Sequence, residues 1–208
     1  MPQADAALRR AAWLKTLLRW HWISSALCLV ALLAFSFTGI TLNHAASIPA
    51  RPEVTNLQAD LPDALRASLA AHDGEAPGPL PEAVAGWLES RWRVALAGRD
   101  AEWSADEVYL PLPRPGGDAW LRIDRETGAA EYERTDRGWI SWLNDLHKGR
   151  HAGPVWGWFI DLFAVACLVF SITGLLILQA HAARRPSVWP VTGLGLVIPV
   201  LLLLLFVH

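Results

Sequence analysis

Charge is absent from two long stretches of this chain, residues 23–42 and 188–207, and nearly absent from a third, residues 155–178, whose single charged residue is Asp161. A helix rising about 1.5 Å per residue needs roughly 20 residues to cross hydrocarbon about 30 Å thick. Three membrane helices are therefore predicted, over residues 20–43, 154–179 and 188–208. They leave a basic tail (1–19), a short loop (180–187) and one extramembrane segment long enough to fold (44–138).

Within that segment the hydrophobic spacing shortens. Residues 61–71 and 81–91 place apolar side chains at helical intervals, the second opening on Pro81, where a missing N–H costs nothing. Residues 107–112, 119–124 and 129–134 read as strands separated by turn-forming runs, and Gly128 supplies the positive φ of a tight hairpin. The prediction is a small α+β unit with one or two helices on a three-stranded antiparallel sheet; residues 49–81 give the weakest pattern. Residues 139–153 carry an apolar stripe (Trp139, Ile140, Trp142, Leu143, Leu146) opposite Asn144, Asp145 and Lys148, as in a helix lying on a membrane surface.

Composition agrees with a membrane chain, at 53% apolar and 18% charged residues. Lysine and arginine resist transfer across the bilayer. Arg9, Arg10, Lys15 and Arg19 mark the N-terminal tail, and Arg184 and Arg185 the short loop, as cytoplasmic. Residues 43–153 hold 12 basic against 18 acidic side chains, a net of −6, which places 44–153 and the C-terminal end, with His208, outside. Of the 12 tryptophans, Trp13, Trp20, Trp22 and Trp189 fall at expected inner boundaries and Trp139, Trp142, Trp156 and Trp158 at outer ones; Trp87, Trp92, Trp103 and Trp120 are expected in the domain core. The first apolar run exceeds the 7–15 residues of a cleaved leader, so it is read as a retained span. Cys28 and Cys167 both lie inside spans, so the outer domain has no disulfide framework.

Five of the seven histidines bracket two spans: His21 and His44 around the first, His147, His151 and His181 around the second. Imidazoles at both faces of paired helices suit b-type haem, whose axial ligands set what the iron does. His21 and His44 are 23 residues apart, about 35 Å along a helix, so each needs a partner on another span. Antiparallel topology offers His181 to His21, and His147 or His151 to His44. Cys28 and Gly174 each lie seven residues from His21 and His181 on nearly the same face, small enough to clear a porphyrin. A lone interfacial histidine is more often just polar surface, the expectation for His72 and His208. Zinc or copper has no tight His or Cys cluster to hold it. The repeat Phe-Ser-x-Thr-Gly, at 35–39 and 170–174, has the form of an inverted repeat, but small residues in membrane helices more often serve packing. Asp161 divides nearly evenly between a functional role, carrying protons or pairing with Arg150, and an interfacial carboxylate; Arg137, Lys148 and Arg150 could attract an anionic chelate, but a solvated basic rim is the more common explanation. No G-x-G-x-x-G or H-E-x-x-H is present, so neither a nucleotide-binding redox domain nor zinc-dependent hydrolysis is indicated.

Taken together, the Asp124-x-x-Thr127-Gly128 turn, Leu146-His147, Thr173-Gly174, Arg19-Trp-His-Trp22 and Thr38-Gly39 resemble the PepSY-associated transmembrane family of bacterial inner membranes, over about residues 18–178. The resemblance implies a periplasmic PepSY-like domain between the first two spans. It also implies one or two haems b on membrane histidines, with His21 and His147 matching family positions. The expected function is then electron transfer, from a quinol or protein donor to a periplasmic ferric siderophore or similar chelate, by a reductase or the haem subunit of one. Such a chain would sit among membrane lipid, alone or as a homo- or hetero-oligomer, with no nucleic-acid partner. The alternative is a non-enzymatic membrane-anchored module that binds or regulates a periplasmic partner. Larger members have a fourth span, so a chain this short would carry fewer haems or act with a partner.

Overall fold

The computed structural model describes residues 2–49, 51–72, 76–96 and 98–207; His208 lies outside the described residues. Its helices are α1 (Pro2–Asn43), α2 (Asp63–Ala70), α3 (Glu82–Trp92), α4 (Trp139–His147), α5 (Gly153–His181) and α6 (Val188–Phe206). The strands are β1 (Glu53–Asp60), β2 (Gly78–Pro79), β3 (Asp100–Trp103), β4 (Glu107–Pro111), β5 (Gly117–Asp124) and β6 (Ala129–Asp136). Three helices are long and apolar enough to cross a membrane, spanning Asp5–Asn43, Gly153–Arg184 and Val188–Phe206. The strands occupy the chain between α1 and α5.

Two compact units divide the chain: Met1–Ala34 with Trp158–His208, and Phe35–Gly157. In the first, α1 and α5 meet as an antiparallel pair through Ser24, Cys28 and Thr173, each under 10% exposed, while no described residue of α6 is buried. α1 begins at Pro2, so the basic tail is helix rather than a separate segment. Its first eighteen residues are mostly Ala, Leu, Arg and Lys, with no glycine to stop propagation.

The second unit holds a six-stranded antiparallel sheet in the order β1-β6-β5-β4-β3-β2. Alternation is strict along β5, where Gly117, Ala119, Leu121 and Ile123 face inward. They meet Val108 and Leu110 of β4, Ala130 and Tyr132 of β6, and Leu69, Val84 and Leu88 of the two helices in one core. Each fully buried aliphatic side chain there is worth about 1.5–3 kcal/mol. The three predicted strands are present, joined by β1, β2 and β3, which the sequence pattern did not predict. Of the four tryptophans expected in the core, Trp103 is buried and Trp87 and Trp92 pack against it. Trp120 instead lies half-buried against Tyr109, on the sheet's other face.

The β5–β6 hairpin turns on Asp124. Its Oδ1 accepts from the Glu126 and Thr127 amides (3.1 and 2.7 Å) and from the Thr127 hydroxyl (2.8 Å). Gly128 follows at φ 78°, its carbonyl accepting from Leu61 N. These hydrogen bonds, first among them the Thr127 amide, hold the Asp124 carboxyl below its usual range.

Candidate functional site: two histidine clasps and a bracket helix

Both copies of Phe-Ser-x-Thr-Gly receive a histidine from another helix. In the first unit, His21 Nδ1 lies 3.1 Å from Phe170 O and 3.1 Å from Thr173 Oγ1, and its ring stacks on Phe170 at 4.7 Å and 16°. Gly174 is what allows the approach, because a Cβ there would stand 3.1 Å from His21 Cε1. In the second unit, His147 Nδ1 lies 2.7 Å from Thr38 Oγ1, with its ring 4.8 Å from that of Phe35 and 3.8 Å from where a Gly39 Cβ would be.

At His21 the hydrogen bonds fix the tautomer. A carbonyl only accepts, so the bond to Phe170 O puts the proton of His21 on Nδ1. Thr173 directs its own proton to Val169 O and Phe170 O, and so accepts from the same N–H. At the other clasp Thr38 Oγ1 is within hydrogen-bond distance of both Phe35 O (3.1 Å) and His147 Nδ1 (2.7 Å), and its one proton can serve either. The neutral His21 imidazole therefore keeps Nε2 as its lone-pair nitrogen, while at His147 either ring nitrogen can carry the proton.

His147 belongs to a bracket. α4 starts at Gly138, φ 85°, and ends before Gly149 and Gly153, both at positive φ, so it is shorter than the predicted 139–153. Asn144, one turn before His147, accepts at Oδ1 from the Thr41 hydroxyl (2.7 Å), so a two-rung polar ladder ties α4 to the end of α1. Asp145 points elsewhere: its Oδ2 accepts from the Gly116 amide of the β4–β5 turn (2.9 Å). Asn144 and Asp145 are 7% and 9% exposed. At Gly116, φ 73°, a Cβ would stand 2.6 Å from Trp142 Cβ, so the turn sits directly on α4. Trp156 Nε1 donates to Leu146 O (2.8 Å), closing the bracket onto the start of α5.

The other expected ligands are not brought to these sites. His181 turns Nδ1 to Ile177 O of its own helix (2.9 Å) and is exposed. With His21 opposite Gly174 and Cys28 touching Cys167, the antiparallel count puts His181 opposite position 14 of α1, about 10 Å from His21. His44 likewise bonds Ile40 O of its own helix (3.0 Å), five residues or about 8 Å past Gly39. His151 is exposed at φ 55°. Gly174 and Cys28 clear no slot: the first admits the His21 ring and the second, 2% exposed, packs between helices. Among the described residues no group of three or more His, Cys, Asp or Glu side chains could hold a metal. Within each unit the expected pairs, His21 with His181 and His44 with His147, are held apart, each ring bonded to its own carbonyl or hydroxyl partner.

The sequence pointed to His21, His147, the two repeats and the stripe of α4, but not to Thr41 or Gly116, nor to Thr38, Thr173 and Asn144 as partners. The signal available was the repeat itself; the histidines nearest to it in sequence, His44 and His181, are not the ones it receives.

Three membrane-length helices and an antiparallel α+β domain bracketed to one of them define a multi-pass membrane protein with an extramembrane sheet domain. Residues 12–208 match the PepSY_TM-like family, and the chain belongs to it. No curated protein and no solved structure matches.

Proposed function

We propose that this is a membrane-anchored, non-enzymatic PepSY-like module, which couples whatever the sheet domain binds to the membrane helix beneath it. The observation that carries this reading is α4, whose consecutive residues Asn144 and Asp145 bond in two directions, to Thr41 of α1 and to the Gly116 turn of the domain. Buried polar groups at such a junction are costly unless all are satisfied, so the bracket has one good geometry and transmits displacement. The distribution of basic residues supports a bacterial inner-membrane location with the domain in the periplasm.

A second reading, a b-type haem electron carrier serving a ferric chelate, is favoured by one feature. Ligating histidines donate their other ring N–H to a carbonyl or similar acceptor, as His21 does. The second axial imidazole would have to come from another copy or another protein. Purification of the full chain from a haem-replete host separates the two. The module reading expects a colourless protein with no b-type bands on reduction; a stoichiometric haem spectrum lost in His21→Ala or His147→Ala would replace it with the second.

A further inference from the structure

We infer that the cleft between the end of α1 and the start of α4 binds the phosphate headgroup of a membrane phospholipid, in the leaflet on the domain's side. The cleft has a volume of about 470 Å³, and its lining includes Ala45, Ile48, Arg51, Arg137, Trp139 and Ser141. Two arginines, Arg51 and Arg137, line it. Arg51 has no hydrogen-bond or ion-pair partner among the described residues, and Arg137 is only loosely held, 3.7 Å from Asp118. A third arginine lies nearby: Arg114 borders the neighbouring cleft at Gly138 and Trp139, its Nη2 paired with Asp136 (3.0 Å) and its buried Nη1 without a partner among the described residues. The first N–H groups of α4 have no side-chain cap and add their positive end to the same place.

Position and charge commit the site to lipid rather than to a soluble anion. The cleft begins two residues after the apolar helix α1 ends at Asn43, and Trp139 and Trp142 beside it are 62% and 45% exposed, as suits indoles at headgroup level. Residues 43–153 carry a net charge of −6, which repels a free anion from solution. A phospholipid arrives laterally, with its acyl chains already against the helices and its phosphate at the height of the arginines. Guanidinium forks pair with phosphate oxygens bidentately, while Ile48 and Ile140 line the cleft beside them.

The test uses the full chain in a non-denaturing detergent. Native mass spectrometry would follow retention of dioleoyl phosphatidylglycerol, with dioleoyl phosphatidylcholine and inorganic phosphate in parallel arms. The expected result is one retained phosphatidylglycerol, preferred over phosphatidylcholine and not displaced by millimolar phosphate, with affinity about tenfold weaker in Arg51→Ala/Arg137→Ala. Equal retention of both lipids, unchanged retention in the double variant, or displacement by inorganic phosphate would overturn the inference. Should the double variant fail to fold, Arg51→Ala alone decides, because that side chain has no partner among the described residues to lose.

Discussion

At the scale of single residues, the two clasps share a motif but differ in tightness. A Cβ on Gly174 would press on His21 Cε1 at 3.1 Å, whereas one on Gly39 would make ordinary contact with His147 at 3.8 Å. Gly174→Ala should displace the His21 ring, seen as a shifted imidazole resonance in labelled protein, while Gly39→Ala leaves His147 in place. Thr38→Val removes the hydroxyl that bonds His147 Nδ1 and should lower stability by about 0.6–1.7 kcal/mol in reversible unfolding from mixed micelles. Histidines matched by distance from the expected ends of the spans pair His21 with His181. That criterion fails because α1 runs on from Pro2, so His21 lies within a long helix and its level is set by the packing register with α5. Register between two apolar helices depends on which small residues face each other, and the spacing of charged boundaries does not encode it.

Secondary-structure elements were legible in proportion to how much of each is buried. β5 alternates buried and open positions along its whole length and α4 carries a clear apolar stripe, and both were predicted. β1 was not, because it is an edge strand whose first four residues are all exposed; its register against β6 supplies the order that its own apolar content cannot. α4 also shows how an element earns its position, through contacts that were invisible in sequence. Gly116 stands at φ 73° with a Cβ position 2.6 Å from Trp142 Cβ and 2.7 Å from its Cα. Gly116→Ala must therefore move backbone, and the left-handed conformation itself costs about 1–2 kcal/mol. The expected outcome is loss of hydrogen-exchange protection across Trp139–His147 with β4 and β5 still protected. Melting of the whole domain instead would show that the bracket and the sheet are a single cooperative unit.

For the whole molecule, acid is the perturbation that should act first on the carboxylate-rich sheet domain. Asp136 behaves as Asp124 does: the Gly138 amide, and then Arg114, favour its ionised form and hold its carboxyl below the usual range. Asp124 ends β5 at the hairpin, and Asp136 ends β6 at the turn leading into α4. A folded-state pKa below the unfolded value of about 3.9 means that the unfolded chain binds more protons at intermediate pH. The stabilisation is therefore complete above the unfolded value and is lost as pH falls through it toward the depressed folded one. Domain unfolding followed by near-ultraviolet circular dichroism should be nearly flat from pH 7 to about 5 and weaken below about 4, and Asp124→Asn should flatten the acid limb. The two carboxylates differ in what they release. Asp124 holds a hairpin, whereas Asp136 ties Arg114 and the Gly138 amide at the start of α4, so its protonation frees a cation and an N–H beside the arginine-lined cleft. An acid limb in which exchange at Trp139–His147 rises before exchange in the core strands would mean that the junction yields first. A single transition shared by α4 and all strands would instead make the domain and its bracket one folding unit, with no separately yielding junction to relay a signal.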